Sequence, residues 1–173
     1  PNEPCTFIYE DEIKKWLEII KGRSTFGDKF PYSNPQMLQN NVHTLWLMPT
    51  VKSCKAMEKL LKADEYFSRY QIINLSQDGV GAGNDAFEYL MNNISESENT
   101  NKLGSIAITV NKLTIGVTVK KWSSVFVLKD LASPEQYFQA IFRIQTPYVV
   151  NKVIEKKDGY VYDFNIDRAS ALL

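Results

Sequence analysis

The chain has 173 residues, 44% of them hydrophobic and 23% charged, which excludes a disordered tail and supplies enough apolar side chains for a core. The 20 Lys and Arg offset the 20 Asp and Glu, so no global positive field draws nucleic acid and any such contact has to be local. Cys5 and Cys54 are too few for a disulfide framework, one histidine excludes a multi-histidine metal site, and no apolar run reaches the roughly 20 residues of a membrane span; a reducing, cytoplasmic compartment fits best.

Ile13, Trp16, Leu17 and Ile20 share one face and predict a first helix over Asp11–Lys21, ended by Gly22. Arg23–Asn41 carries Gly27, Pro31 and Pro35 and reads as a linker or a surface excursion. Residues 1–42 are thus expected to form an N-terminal helix and extension, and 43–173 the main domain. "HTLWLMP" (His43–Pro49) suits a strand buried on both faces. "TVKSCKAMEKLLKA" follows as a helix with Val51, Cys54, Met57, Leu60 and Leu61 near one face. "YQIINL" is a second strand, "QDGVGAGN" a loop, "DAFEYLMNNI" a helix and "SESENTN" a polar loop. "GSIAITV" is a third strand, and "WSSVFVLKD" holds a fourth at Val125–Leu128. A helix from Ser133 to Pro147 comes next; "GYVYDFN" is a last strand, and "DRASALL" starts another helix. Strands alternating with helices predict an α/β fold, with a mostly parallel central sheet and helices on both faces. Ligands of such sheets sit beyond the strands' carboxyl ends, here the loops after Met48, Val110 and Leu128.

The helix "SPEQYFQAIFRIQTP" has Ser133 as cap, Pro134 in its first turn and Gln136 to complete a capping box; Pro147 stops it. Tyr137, Ala140, Ile141 and Ile144 form one face, and Gln136, Gln139, Arg143 and Thr146 another. Gln139 and Arg143 stand one turn apart, so both can reach one object, and a guanidinium suits phosphate oxygens. A solvated polar stripe explains the same spacing. In "ITVNKLTIGVTV" (Ile108–Val119) a strand is followed by Asn111, Lys112, Thr114, Gly116 and Thr118, which can present backbone N–H groups to phosphates. An ordinary turn with Gly116 at an unusual backbone angle also accounts for it. His43 reads as a strand-end residue. Lys120, Lys121 and Trp122 could hold a phosphate and a base, or Trp122 could pack at the start of a strand. No nucleophile elbow, Cys–His pair or metal-ligand spacing is present.

Taken in order, "LWLMPTVKSCKAMEKLL", "ITVNKLTIGVTVKKWSSVFVL" and "SPEQYFQAIFRIQTP" resemble motifs IV, V and VI of the second RecA-like domain of superfamily 2 helicases and translocases. The stretch looks most like the helicase subunits of bacterial restriction systems and their DEAD/DEAH relatives, and the likeness covers roughly His43 to Val150. It implies a three-layer RecA-like fold, ATP and Mg²⁺ as cofactors, DNA as track (RNA equally fits the motifs), and a first RecA-like lobe as partner. By the same resemblance Arg143 is the arginine finger and Gln139 couples nucleotide to DNA. Gly116 and Thr118 face the nucleotide, Thr118 standing where many relatives have Asp. Pro49, Thr50, Lys52, Thr109, Asn111, Lys112 and Thr114 match positions near the nucleic-acid backbone, although Thr50 would equally cap a helix. Thr146 occupies the place of a further arginine, which leaves finger duty to Arg143. No G-x-x-x-x-G-K-[ST] and no acidic Walker B strand occur. The chain therefore reads as half of an ATP cleft, a domain of a larger motor with negligible ATPase activity alone. The competing reading is a degenerate α/β module that binds nucleic acid or protein without ATPase coupling.

Overall fold

The computed structural model describes residues 6–22, 31–110, 119–131, 133–151, 153–156 and 158–165. Five strands, β1 (His43–Leu47), β2 (Gln71–Asn74), β3 (Ser105–Thr109), β4 (Ser124–Val127) and β7 (Tyr160–Asp163), form one sheet in the order β2-β3-β1-β4-β7. All four pairings are parallel, as the alternation of strands and helices predicts. The helices are α1 (Glu10–Ile20), α2 (Pro35–Asn40), α3 (Val51–Ala63), α4 (Asn84–Asn99) and α5 (Pro134–Phe142). A short antiparallel pair, β5 (Tyr148–Val150) and β6 (Val153–Lys156), follows α5.

Successive side chains of a strand point to opposite faces, and this sorts the strand residues into two cores. Leu45, Leu47, Ile73, Ala107, Val125 and Val127 face one way and pack with Leu90 and Ile94 of α4 and Tyr137 and Ala140 of α5. Trp46, Ile72, Ile106, Ile108 and Phe126 face the other way, against Cys54, Met57 and Leu61 of α3. The first helix belongs to this second core: Leu17 and Ile20 are buried in it. Trp46 stacks on Phe126 with centroids 4.9 Å apart and meets Trp16 edge-on at 5.7 Å.

An ion pair fastens the end of α1. The Lys21 side chain is 2% exposed, and its Nζ donates to Asp64 Oδ2 at 2.6 Å and to the Glu18 carboxylate. Burial alone would raise the Asp64 pKa, but Lys21 and the amides of Phe67 and Tyr66 outweigh it and hold the carboxyl below its usual range. Gly104 leads into β3 at φ +150°, and a Cβ there would lie 1.9 Å from the Val42 carbonyl oxygen. That oxygen accepts from Ser105 N at 2.8 Å, so glycine lets β3 start against the residue preceding β1.

Four local differences from the sequence reading have simple causes. The supposed polar loop "SESENTN" is largely the last turns of α4, because Ser97 falls on the Leu90–Ile94 face, is buried, and donates to the Ile94 carbonyl at 2.6 Å. The Arg23–Asn41 loop holds α2, started by Asn34, whose Oδ1 accepts from Gln36 N and Met37 N, with Pro35 in the first turn. α5 stops at Phe142, so Arg143 is its C-cap and not a mid-helix residue. The β5–β6 pair occupies a stretch to which the sequence pattern assigns no element. The start of a helix expected in "DRASALL" lies outside the described residues.

Candidate functional site

The strands' carboxyl ends carry the first group of expected contacts. Pro49 and Thr50 follow β1 and Lys52 lies in the first turn of α3; all three are exposed. Thr50 is also a cap: its Oγ1 accepts from Ser53 N at 3.0 Å, and Ser53 Oγ accepts from Thr50 N at 3.0 Å. Thr109 is placed differently, 1% exposed at the end of β3, where its carbonyl accepts from Met48 N at 2.8 Å. Asn111, Lys112, Thr114, Gly116 and Thr118 lie outside the described residues.

What precedes that segment is tied down by groups the sequence reading passed over. Val110 N donates to Ser76 Oγ at 3.2 Å, and Lys129 Nζ donates to the Val110 carbonyl at 3.2 Å. Cys54 Sγ donates to the same Ser76 hydroxyl at 3.5 Å. Burial lowers the Lys129 pKa and raises that of the Cys54 thiol. The only sequence signal for Lys129 is its place just after the fourth strand.

Beside these strand ends opens a pocket of about 470 Å³. Ile13 and Trp16 of α1 form one wall, Pro49 and Leu128 follow β1 and β4, and Phe164 and Asn165 follow β7. Trp16 and Phe164 meet edge-on with centroids 5.1 Å apart. At the polar rim, Asn165 Nδ2 donates to Asp130 Oδ1 at 2.6 Å. In the sequence Trp16 looks like any core residue of an amphipathic helix; nothing in its spacing marks a pocket wall.

Gln139 and Arg143 belong to the opposite end of the sheet. Ser133 Oγ caps α5 by accepting from Gln136 N at 3.3 Å, and the helix then runs back antiparallel to the strands. Its end is fixed by Lys156, whose Nζ donates to the carbonyls of Ile144 at 2.9 Å and Trp122 at 2.8 Å; Trp122 lies just before β4 begins. Arg143 is therefore near the strand starts, while Pro49, Thr50 and Lys52 are at the strand tips. The structure does not bring the two groups together on one edge. Gln139 is exposed and Arg143 half-buried, and burial lowers the Arg143 pKa, which leaves a guanidinium charged. Phe138 and Phe142, both exposed, stack on one another at 6.0 Å.

Near the strand starts, Trp122 is fully buried, as a packing residue would be, and Lys121 pairs with Glu98 at 2.6 Å. His43 Nδ1 lies 2.9 Å from Ser105 Oγ, and its Nε2 lies 3.5 Å from Glu98. Burial pushes the His43 pKa down to about 4; Glu98 opposes this and Lys121 adds to it. The folded state then binds fewer protons than the unfolded state between pH 6.5 and about 4. Stability is expected to be full above that window and to fall as pH drops through it, by up to about 3 kcal/mol. Urea midpoints of the native chain and His43→Gln, measured across that range, check this; parallel curves would contradict it.

No protein-family model matches the chain. It is 42% identical over 164 residues to a Mycoplasma pneumoniae (strain ATCC 29342 / M129 / Subtype 1) protein named "Putative type II restriction enzyme and methyltransferase RM.MpnORF110P C-terminus". That alignment covers 94% of this chain and 23% of the relative, so the chain spans about a quarter of the relative's length. Among solved structures it is similar to the C-terminal part of the Fun30 ATPase domain, with a TM-score of 0.51 and 14% identity, over 91% of this chain and 41% of that one. The fold is thus α/β with a parallel five-stranded sheet, similar to the C-terminal part of that ATPase domain. Among the described residues no helix is long and apolar enough to cross a membrane.

Proposed function

We propose that the chain is the C-terminal motor lobe of an ATP-dependent DNA helicase or translocase acting within a restriction system in the cytoplasm. The observation that carries this reading is Gln139 and Arg143, one turn apart at the end of α5, on a fold similar to the C-terminal part of an ATPase domain. The 42% identity to a restriction protein supports the setting, and DNA is the track that setting favours. In this reading Arg143 reaches across to ATP phosphates held by a first RecA-like lobe, and Gln139 couples that contact to DNA. Gly116 and Thr118 face the nucleotide. Pro49, Thr50 and Lys52 line the DNA backbone at the other end of the strands, with Thr109 supporting them from inside, and Asn111, Lys112 and Thr114 belong to the same DNA track. The residues 43–173 are the motor lobe proper and 1–42 its extension.

The chain carries no G-x-x-x-x-G-K-[ST] and no acidic Walker B strand, so the reading assigns Mg²⁺ and most ATP contacts to the other lobe. The test is DNA-stimulated ATP hydrolysis by the protein expressed from its complete coding sequence. Arg143→Ala is expected to remove turnover while DNA binding survives. Unchanged turnover would favour a binding module without ATPase coupling.

A further inference from the structure

We propose that the 470 Å³ pocket at the strand tips takes a nucleobase from a single strand of nucleic acid. Its volume lies in the range of small-ligand sites, and its make-up is the usual one: apolar walls with a few convergent polar groups. Trp16 and Phe164 supply aromatic surface, and Phe164 is 37% exposed, so part of that surface is open to a ligand. Phe164 is also backed by Phe126, with centroids 6.1 Å apart, which keeps its ring in place. A base has two apolar faces and a hydrogen-bonding edge. The walls suit the faces, and the rim offers the edge an Asp130 carboxylate that can accept from a ring amino group. Asn165 donates to that carboxylate at 2.6 Å and orients it. Lys129 also lines the pocket, its Nζ held by the Val110 carbonyl at 3.2 Å, and adds positive charge there. Pro49 is both a wall of the pocket and the residue before Thr50 and Lys52, so a backbone tracked along the strand tips would pass the opening. A purely apolar guest would leave the Asp130–Asn165 edge unused.

This inference rests on the nucleic-acid half of the proposed function, and its test separates the two. Of three tryptophans, Trp46 and Trp122 are fully buried, which leaves Trp16 as the partly exposed reporter. The 173-residue chain is titrated with a single-stranded oligodeoxynucleotide of about eight nucleotides, with its abasic counterpart, and with a nucleoside monophosphate. Saturable quenching by the base-bearing strand, absent with the abasic one, is expected. Trp16→Leu is expected to weaken binding of a labelled strand about tenfold, measured by anisotropy. Because Trp16 also touches Trp46, the exposed rim variant Asp130→Ala serves as a second probe and is expected to weaken binding about threefold without shifting the thermal transition. Equal binding of the abasic strand, binding of the monophosphate alone, or unchanged affinity in both variants overturns the pocket assignment and leaves the Arg143 test standing. If no strand binds at all, the pocket assignment falls, and DNA-stimulated turnover of the complete protein still decides the motor reading.

Discussion

Arg143→Ala is expected to lower DNA-stimulated ATP turnover by on the order of a thousandfold in the complete protein, with DNA affinity at fixed salt changed less than about twofold. An arginine finger acts on charge that develops as the terminal phosphate leaves, so its loss falls on turnover and not on binding. A thousandfold corresponds to about 4 kcal/mol, far above what a lost surface contact supplies. Arg143→Lys separates charge from shape: it keeps the cation but loses the planar fork, and is expected to recover only part of the rate. The fold should tolerate both changes. The face of α5 that enters the core is made of Tyr137 and Ala140, followed by Ile144, and Lys156 anchors the helix end through the Ile144 carbonyl, not through the Arg143 side chain. If turnover and DNA binding fall together, Arg143 serves the track and not the nucleotide.

Gly104→Ala is expected to destabilise the chain by about 3 kcal/mol or more. The added Cβ would stand 1.9 Å from the Val42 carbonyl oxygen, which is backbone and cannot rotate aside. The same site holds two hydrogen bonds of the sheet: Ser105 N donates to Val42 O at 2.8 Å, and Gln71 N donates to Gly104 O at 2.9 Å. Relief of the clash therefore pulls β3 away from β1 or β2. Gly79→Ala is the control: φ is +88° there, but nothing lies within 4 Å of an added Cβ, so only backbone strain of about 1 kcal/mol is expected. Urea unfolding at one pH compares them, and equal midpoint shifts would contradict the close-contact explanation.

Strands were readable where burial on both faces left a continuous apolar run. "HTLWL", "QIIN" and "SIAIT" all lie in β1, β2 and β3, and the alternation with helices gave the parallel sheet. The end of α4, Ser95–Asn99, was not readable because its buried face switches from Leu90 and Ile94 to Ser97, and Ser, Glu and Asn locally favour turns. The first helix was visible, but not what it packs on: that Leu17 and Ile20 enter the same core as Trp46 depends on contacts made far along the chain. For the site, helical spacing put Gln139 and Arg143 on one face, yet the direction of α5 relative to the strands is a tertiary fact. It places Arg143 near Trp122 and the strand starts, away from Thr50. The loops after Met48 and Leu128, where the sequence pattern puts ligands, do line the strand-tip pocket, but the wall from α1 and the part that follows β7 depend on tertiary packing and were hidden.

The clamp at Lys156 has a mechanical corollary. It welds the tail of α5 to the root of β4, and the five-residue strand β1 beside it spans about 17 Å before reaching Pro49. Cores packed on both faces make that span stiff. A push delivered at one end cannot be absorbed by a yielding loop in between, so it reaches the far end as a tilt of the entire body, in the manner of a lever.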